Sequence, residues 1–148
     1  QNILGNKRID DVVPNTGAFK CIGSIADEKN NTLYWFVTSN NKDAIIEHKH
    51  EYQLSESSPV IVDTKTGTSG AVLKFSDKII TGINIIDDML FWTDNKNEPR
   101  KINIERCKNG TSDFNTHTQL YERDMIEDDI TVIKKKPTNA LKVKVKMP

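Results

Sequence analysis

The stretch that decides the fold runs from Ile83 to Lys108 and reads INIIDDMLFWTDNKNEPRKINIERCK. It begins with two apolar runs, rich in residues that favour β-structure, on either side of an acidic pair. This pattern predicts a β-hairpin closed by a tight turn. After Pro99, apolar and polar residues alternate through Ile102 and Ile104, which predicts a third strand in the same unit.

A weaker copy of this unit lies upstream at a constant offset of 57 residues. The apolar pairs at that offset are Leu33 and Leu90, Trp35 and Trp92, and Ile45 and Ile102. Strand alternation places each tryptophan on the same face as its neighbouring leucine, so we expect these six residues to form the structural core. The sequence predicts an all-β fold of antiparallel sheets built from two repeated hairpin units, arranged like propeller blades or like a sandwich.

The repeat suggests a division of the chain into four parts. Residues 1–17 are predicted as an N-terminal arm, 18–66 as the first β repeat, 67–111 as the second, and 112–148 as a C-terminal extension. The tract 63–70 is rich in Thr, Ser and Gly, which is typical of a linker between the two repeats. The extension ends in lysines that alternate with apolar residues, a pattern that favours an exposed edge strand.

Composition excludes several classes of protein. The 148 residues are 36% hydrophobic and 28% charged, with 21 basic and 21 acidic side chains, so no net charge favours nucleic acid or an anionic membrane. No apolar run approaches the roughly 20 residues that cross a bilayer. The two cysteines match no zinc or redox spacing and are predicted to be reduced. The first residue is Gln1, and we expect the chain to be a fragment of a larger protein.

The strongest candidate for site chemistry is the segment from Glu47 to Glu51, because alternation places His48 and His50 on one strand face. Two histidines do not complete a zinc site, and a solvated strand face explains them better. A metal-dependent hydrolase that uses Glu47, His48 and His50 stays open as a minor alternative. Asp87 and Asp88 are explained by turn chemistry. The sequence therefore predicts no enzyme, no cofactor and no metal site.

Residues 81–104 also carry a family resemblance. The run TGINIIDDMLFWTD at 81–94 and the run NEPRKINI at 97–104 resemble a segment of virion structural proteins of tailed bacteriophages. That group includes the tail muzzle, nozzle or stabilisation proteins of crAss-like phages and structural proteins of marine phages. Residues 1–6 and 128–137 resemble other parts of the same region, so the resemblance covers most of the chain. Residues 91–94 are similar, more weakly, to the Tyr-Trp-Thr-Asp blades of extracellular propellers.

The resemblance implies a structural component of a bacteriophage virion, in the tail or neck region, that acts by oligomeric assembly and not by catalysis. It implies other virion structural proteins as partners, a homo-oligomeric ring, transient proximity to genomic DNA, and no membrane contact. The protein would reside in the virion after assembly in the host cytoplasm. An alternative class is a propeller-type binding module that recognises glycan or protein through its loops.

The loop between the second and third strands of the second unit is the predicted subunit contact. Its residues of interest are Asp94, Glu98, Pro99 and Arg100. We expect the proline to stiffen the exit of the loop and the flanking charges to be available for an ion pair.

Replacing Pro99 by glycine should therefore lower the melting temperature by roughly 1–4 °C, because glycine gains more backbone freedom in the unfolded chain. Differential scanning calorimetry measures the change. An unchanged melting curve would contradict a structural role for this loop.

Overall fold

A computed structural model describes residues 19–51, 54–66 and 70–134 of the chain. The strands are β1 (Lys20–Asp27), β2 (Thr32–Thr38), β3 (Asp43–Glu51), β4 (Leu54–Asp63), β5 (Gly82–Ile86), β6 (Met89–Thr93), β7 (Arg100–Asn103), β8 (Gln119–Leu120) and β9 (Arg123–Asp124). The helices are α1 (Ile104–Asn109) and α2 (Glu127–Ile130), with a short 3-10 turn at Glu28–Asn30. The predicted N-terminal arm and the predicted edge strand at 141–147 lie outside the described residues.

The described strands form three antiparallel sheets. The first has the order β1-β2-β3-β4, the second β5-β6-β7, and the third is the short hairpin β8-β9. The predicted antiparallel sheets are confirmed; the fold is mostly β and includes short helices, whereas the sequence predicted an all-β fold. Among the described residues no closed barrel or propeller is formed, so the repeat is not confirmed.

One hydrophobic core joins the first two sheets. Its buried aromatic centre is Phe36, Phe75 and Trp92, whose ring centroids lie 5.5–6.4 Å apart in tilted and edge-to-face pairs. Other core residues come from both sheets, from both helices and from the segment after β9, including Ile45, Ile61, Leu90, Ile102, Met125 and Ile130. Residues from the predicted repeats and from the predicted extension therefore share one core.

The first sheet is buried on its second face as well. Val37, Ala44, Ile46 and Val62 form a smaller cluster there, and Trp35 packs against its edge. This differs from the sequence prediction, which placed Trp35 and Leu33 in the same core as their counterparts at the 57-residue offset. Both side chains are half-buried on the face opposite to the main core.

Strand register explains the difference. Leu90 lies opposite Ile102 in the second sheet, but Leu33 lies opposite His48 and not Ile45 in the first. Compared with the pairing that the 57-residue offset predicts, the register between β2 and β3 is shifted by three residues. A shift by an odd number of residues exchanges the two faces of a strand. Phe36 therefore meets Trp92 in the core, and Trp35 faces the other way.

Two buried aspartates anchor the segment that crosses from the first sheet to the second. Asp43 and Asp63 lie directly opposite each other on β3 and β4, and both side chains are fully buried. The Asp63 carboxylate accepts hydrogen bonds from the backbone N–H groups of Val72 and Leu73 at 2.6 and 2.7 Å. Asp43 accepts the N–H of Phe75 at 3.0 Å. Asp63, the first residue of the predicted linker, therefore holds the backbone of residues 72–73 in place.

Arg100 holds the same crossing segment from the other side. Its guanidinium donates to the carbonyl groups of Val72 and Leu73, and also to Glu127 at 2.9 Å. The Arg100 side chain is only 1% exposed. Buried backbone groups need partners, so this arginine and Asp63 together satisfy both polar sides of one dipeptide. We call this arrangement of Asp63, Arg100 and residues 72–73 the crossing clamp.

The end of the second sheet also differs from the predicted strand. The alternation through Ile104 predicts β-structure, but α1 begins at that residue. The Asn103 side chain accepts a hydrogen bond from the N–H of Arg106 at 2.9 Å, which is the usual arrangement of a helix N-cap. Buried Ile104 and Cys107 then face the core from one side of the helix. In the part of the chain that the structure describes, no helix is long and apolar enough to span a membrane.

Replacing Asp63 by asparagine should destabilise the fold by about 3 kcal/mol, because the change removes one of the negative charges that compensate the buried Arg100 and turns an amide donor toward at least one backbone N–H group. Urea unfolding followed by tryptophan fluorescence measures the loss. The matched control is Asp77→Asn, since that side chain is exposed, and it should change stability by less than about 0.5 kcal/mol. Equal stabilities of the two variants would show that the clamp is not a stabilising contact.

Candidate functional site

The predicted contact loop divides into an inward and an outward part. Arg100 points into the core and is occupied by the crossing clamp, so it is not available to a neighbouring subunit. Glu98 and Pro99 are exposed, and the Pro99 carbonyl accepts the N–H of Val132 at 3.0 Å. The predicted contact is thus limited to the exposed tip of the loop.

Asp94 organises the tip from within. Its carboxylate accepts the backbone N–H groups of Lys96 and Asn97 and the Asn97 amide at 2.6–3.0 Å. Burial acts to raise the pKa of Asp94, but these hydrogen bonds outweigh it and hold the pKa below its usual value. The side chain that sequence analysis assigned to a subunit contact therefore maintains the shape of its own loop.

His48 on β3 contacts side chains of the neighbouring strands. The ring of His48 stacks on Trp35 with centroids 5.6 Å apart, and its Nδ1 lies 2.7 Å from the Ser57 hydroxyl. Glu47 is on the opposite strand face, pointing away from His48 and His50. Among the described residues no group of three or more His, Cys, Asp or Glu side chains could hold a metal ion.

The strongest site lies between two hairpin ends that the sequence places far apart. One is the β1–β2 end at Asp27 to Asn30, and the other is the β5–β6 turn at Asp87 and Asp88. They line a cleft of about 650 Å³, which adjoins a second cavity of about 340 Å³ near Tyr34 and Glu47. We call the two together the acidic cleft.

Close approach of β1 to β5 brings these ends together. The Ile80 N–H donates to the Ile22 carbonyl at 2.7 Å. Gly23 lies so near the next strand that an added Cβ would be 2.9 Å from Ile83 and 3.0 Å from the Ile80 carbonyl oxygen. The strands run alongside each other, and their C-terminal ends reach the same cleft.

Carboxylates dominate the walls of the cleft. The acidic residues that line it are Asp27, Glu28, Glu47, Asp87, Asp88 and Glu105, while Lys29 and Lys49 are the basic ones. Within the described residues, Glu28, Asp87 and Asp88 form no ion pair through their side chains. Asp87 adopts the left-handed backbone region, with φ of 52°, which aspartate tolerates better than most residues. The walls thus present unneutralised negative charge to solvent.

Glu47 at the base of the cleft is a buried charge with a specific partner. Its side chain is 2% exposed, and Lys108 on α1 places its Nζ 2.8 Å from Oε2. Lys49 approaches the other carboxylate oxygen at 3.5 Å. Burial acts to lower the pKa of Lys108, but Glu47 and Glu105 outweigh it and raise the pKa. This ion pair ties the first sheet to α1.

Tyr34 lies beside Glu47 and is 5% exposed. No described residue forms a hydrogen bond with its hydroxyl, although buried tyrosine hydroxyls usually have a partner. Burial raises the pKa of Tyr34, and the carboxylates of Glu47, Asp27, Glu105 and Asp88 raise it further. The phenol therefore stays protonated, with its oxygen and proton both available to a ligand in the cleft.

A second pocket, of about 310 Å³, has the opposite character. Lys101, Arg106 and Lys134 line it together with apolar residues and Asp129. Tyr121 at its rim is 66% exposed, and the guanidinium groups of Arg106 and Arg123 lie 5.3 and 6.0 Å from its ring centroid. We call this the basic pocket.

The sequence contained only part of the signal for these sites. Asp27-Glu28 and Asp87-Asp88 are both acidic hairpin ends, and sequence analysis explained the second pair as turn chemistry alone. Nothing in their spacing indicates that the two turns meet, because that contact depends on how β1 approaches β5.

Comparisons of the chain with protein-family models, curated proteins and solved structures gave no match.

Replacing Lys108 by methionine should cost about 2–3 kcal/mol of unfolding free energy, since the buried Glu47 carboxylate loses its nearest cation. Chemical denaturation measures this loss. Glu105→Gln is the matched control, because Glu105 is the exposed partner of the same lysine at 3.6 Å, and its removal should cost less than about 0.5 kcal/mol. Adding Glu47→Gln to the Lys108 variant should restore part of the loss, and no recovery would contradict the buried ion pair.

Proposed function

We propose that this chain is a structural component of a bacteriophage virion, in the tail or neck region, and that it acts by oligomeric assembly and not by catalysis. The family resemblance of residues 81–104 supports this function. Its proposed partners are copies of itself in a ring, other virion structural proteins and, transiently, genomic DNA. The proposed location is the virion, after assembly in the host cytoplasm.

The presence of two oppositely charged sites on one body is the observation that carries the proposal. A ring requires two different, complementary surfaces on each subunit, because each contact joins unlike patches. The acidic cleft and the basic pocket offer such charge contrast, and charge complementarity steers subunits into register. The shared core and the crossing clamp support this role by holding both sites on one scaffold.

The basic pocket also supports the proposed proximity to DNA. Lys101, Arg106 and Lys134 are cations on one part of the surface, and phosphate contacts of this kind need no base recognition. Such contacts suit a passage through which DNA moves, since they are weak and independent of sequence.

The arrangement of the two β units, as propeller blades or as sandwich leaves, is also part of the proposal. Both larger sheets are antiparallel hairpin series, which is the form that a propeller blade or a sandwich leaf takes. We propose that the two units repeat in the intact protein. Sequence outside residues 1–148 with further copies of the 57-residue unit would support a propeller.

One observation favours the alternative, a binding module for glycan or protein. Tyr121 is an exposed aromatic residue at the turn of the β8–β9 hairpin, with Arg106 donating to its hydroxyl at 2.6 Å. Exposed aromatic rings fixed in this way are typical contacts of binding loops.

Two measurements on the full-length product test the proposal. Mass spectrometry of purified virions should detect this protein at a fixed ratio to the other structural proteins, and light scattering after gel filtration should show a discrete oligomer.

A strict monomer that is absent from particles and binds glycans would overturn the virion function. Tyr121→Ala then tests the alternative, because it should abolish glycan binding by a module that recognises its ligand through this loop.

A further inference from the structure

The distribution of charge along the chain is uneven despite the net charge of zero. Six of the 21 basic residues are lysines in the segment 134–146, namely Lys134, Lys135, Lys136, Lys142, Lys144 and Lys146. This segment contains no acidic residue, so residues 1–133 hold 15 basic against 21 acidic side chains. The acidic cleft is therefore part of a negatively charged body that continues into a positively charged segment.

Two independent features of the cleft indicate that it binds a cationic ligand. The first is the group of unpaired carboxylates on its walls, at Glu28, Asp87 and Asp88. The second is Tyr34, whose side chain is almost completely buried, lines the cleft beside its carboxylates and has no hydrogen-bond partner for its hydroxyl among the described residues. A lysine ammonium carries three N–H donors and no acceptor, which matches carboxylate and phenolic oxygens.

We propose that the acidic cleft of one copy receives lysine side chains from the segment 134–146 of a neighbouring copy. This inference rests on the proposed function, because it requires that copies of the chain assemble. It specifies the contact: the hairpin ends at Asp27 and Asp87 of one subunit bind the Lys142, Lys144 and Lys146 side chains of the next.

The spacing of these lysines suits the cleft. Lysines at every second position recur on one side of an extended chain about 6–7 Å apart. A cleft of about 650 Å³ joined to one of about 340 Å³ has room for more than one lysine side chain. The apolar residues between the lysines would then face away from the carboxylates.

The reach of the segment permits contact between copies. The last described residue, Lys134, lies in the basic pocket beside Met89 and Asn103, at the same end of the second sheet as Asp88. Lys146 is twelve residues further along the chain, so an extended segment spans up to about 40 Å. A contact in which unlike surfaces meet leaves each subunit with one occupied cleft and one bound segment, and it forms a ring when the rotation from copy to copy closes.

Zero-length cross-linking tests the contact directly. A water-soluble carbodiimide joins carboxylates only to amines that touch them. In an equal mixture of unlabelled and ¹⁵N-labelled full chains, we expect light–heavy cross-links between cleft carboxylates, especially Asp87 and Asp88, and Lys142, Lys144 or Lys146.

Matched variants give a second readout. Asp87→Asn with Asp88→Asn should weaken self-association at least about tenfold, because removing these charges removes the complementary field. Lys142→Gln, Lys144→Gln and Lys146→Gln together should have the same effect. Asp77→Asn with Glu122→Gln removes two exposed charges outside the cleft and should leave association unchanged. Circular dichroism of each variant verifies its fold.

Three results would overturn the inference. Cross-links confined to single copies would mean that the segment occupies the cleft of its own chain. Cross-links that avoid the cleft would place the segment elsewhere, as would association that is insensitive to the cleft variants. In the second and third cases an oligomer that persists leaves the proposed function standing, whereas a monomer absent from virions contradicts that function itself.

Discussion

The fold depends on how the chain passes from the first sheet to the second through the core. A crossing segment brings backbone N–H and C=O groups into an apolar region, where each unpaired group costs roughly 1–3 kcal/mol. Asp63 accepts the N–H groups of Val72 and Leu73, and Arg100 donates to their carbonyl groups. Because Asp63 comes from the first sheet and Arg100 from the second, the clamp also fixes the relation of the two sheets.

The position of the acidic cleft follows from that relation. With the sheets held over a shared core, β1 and β5 run alongside each other, and Gly23 permits their close approach. Their acidic ends then lie around one cleft, where carboxylates repel one another. Lys108 pairs with the deepest of them, Glu47, at 2.8 Å and approaches the exposed Glu105 at 3.6 Å. The remaining carboxylates are stabilised by solvent, and a bound cation would stabilise them further.

We propose assembly because the charges inside the body and those on its surface differ in their pairing. Buried charges within the body are paired and contribute to one defined arrangement of the sheets. Charges on the walls of the cleft and of the basic pocket are only partly paired and are open to a partner. A protein with a fixed scaffold and complementary open charges is suited to docking against its own copies, since steering by charge sets the orientation before contact.

The sequence by itself determined the antiparallel hairpins of this protein but not α1, because alternation and turn residues act locally. Two apolar runs flanking Asp87-Asp88 predicted β5 and β6 correctly. Only the tertiary structure decided which strand face became core: β2 is apolar on both faces, so its pattern could not distinguish Phe36 from Trp35. It also showed that Asp63, predicted as a linker residue, and Arg100, predicted as a subunit contact, are both part of the crossing clamp. These roles depend on backbone groups distant in sequence, which no local pattern encodes.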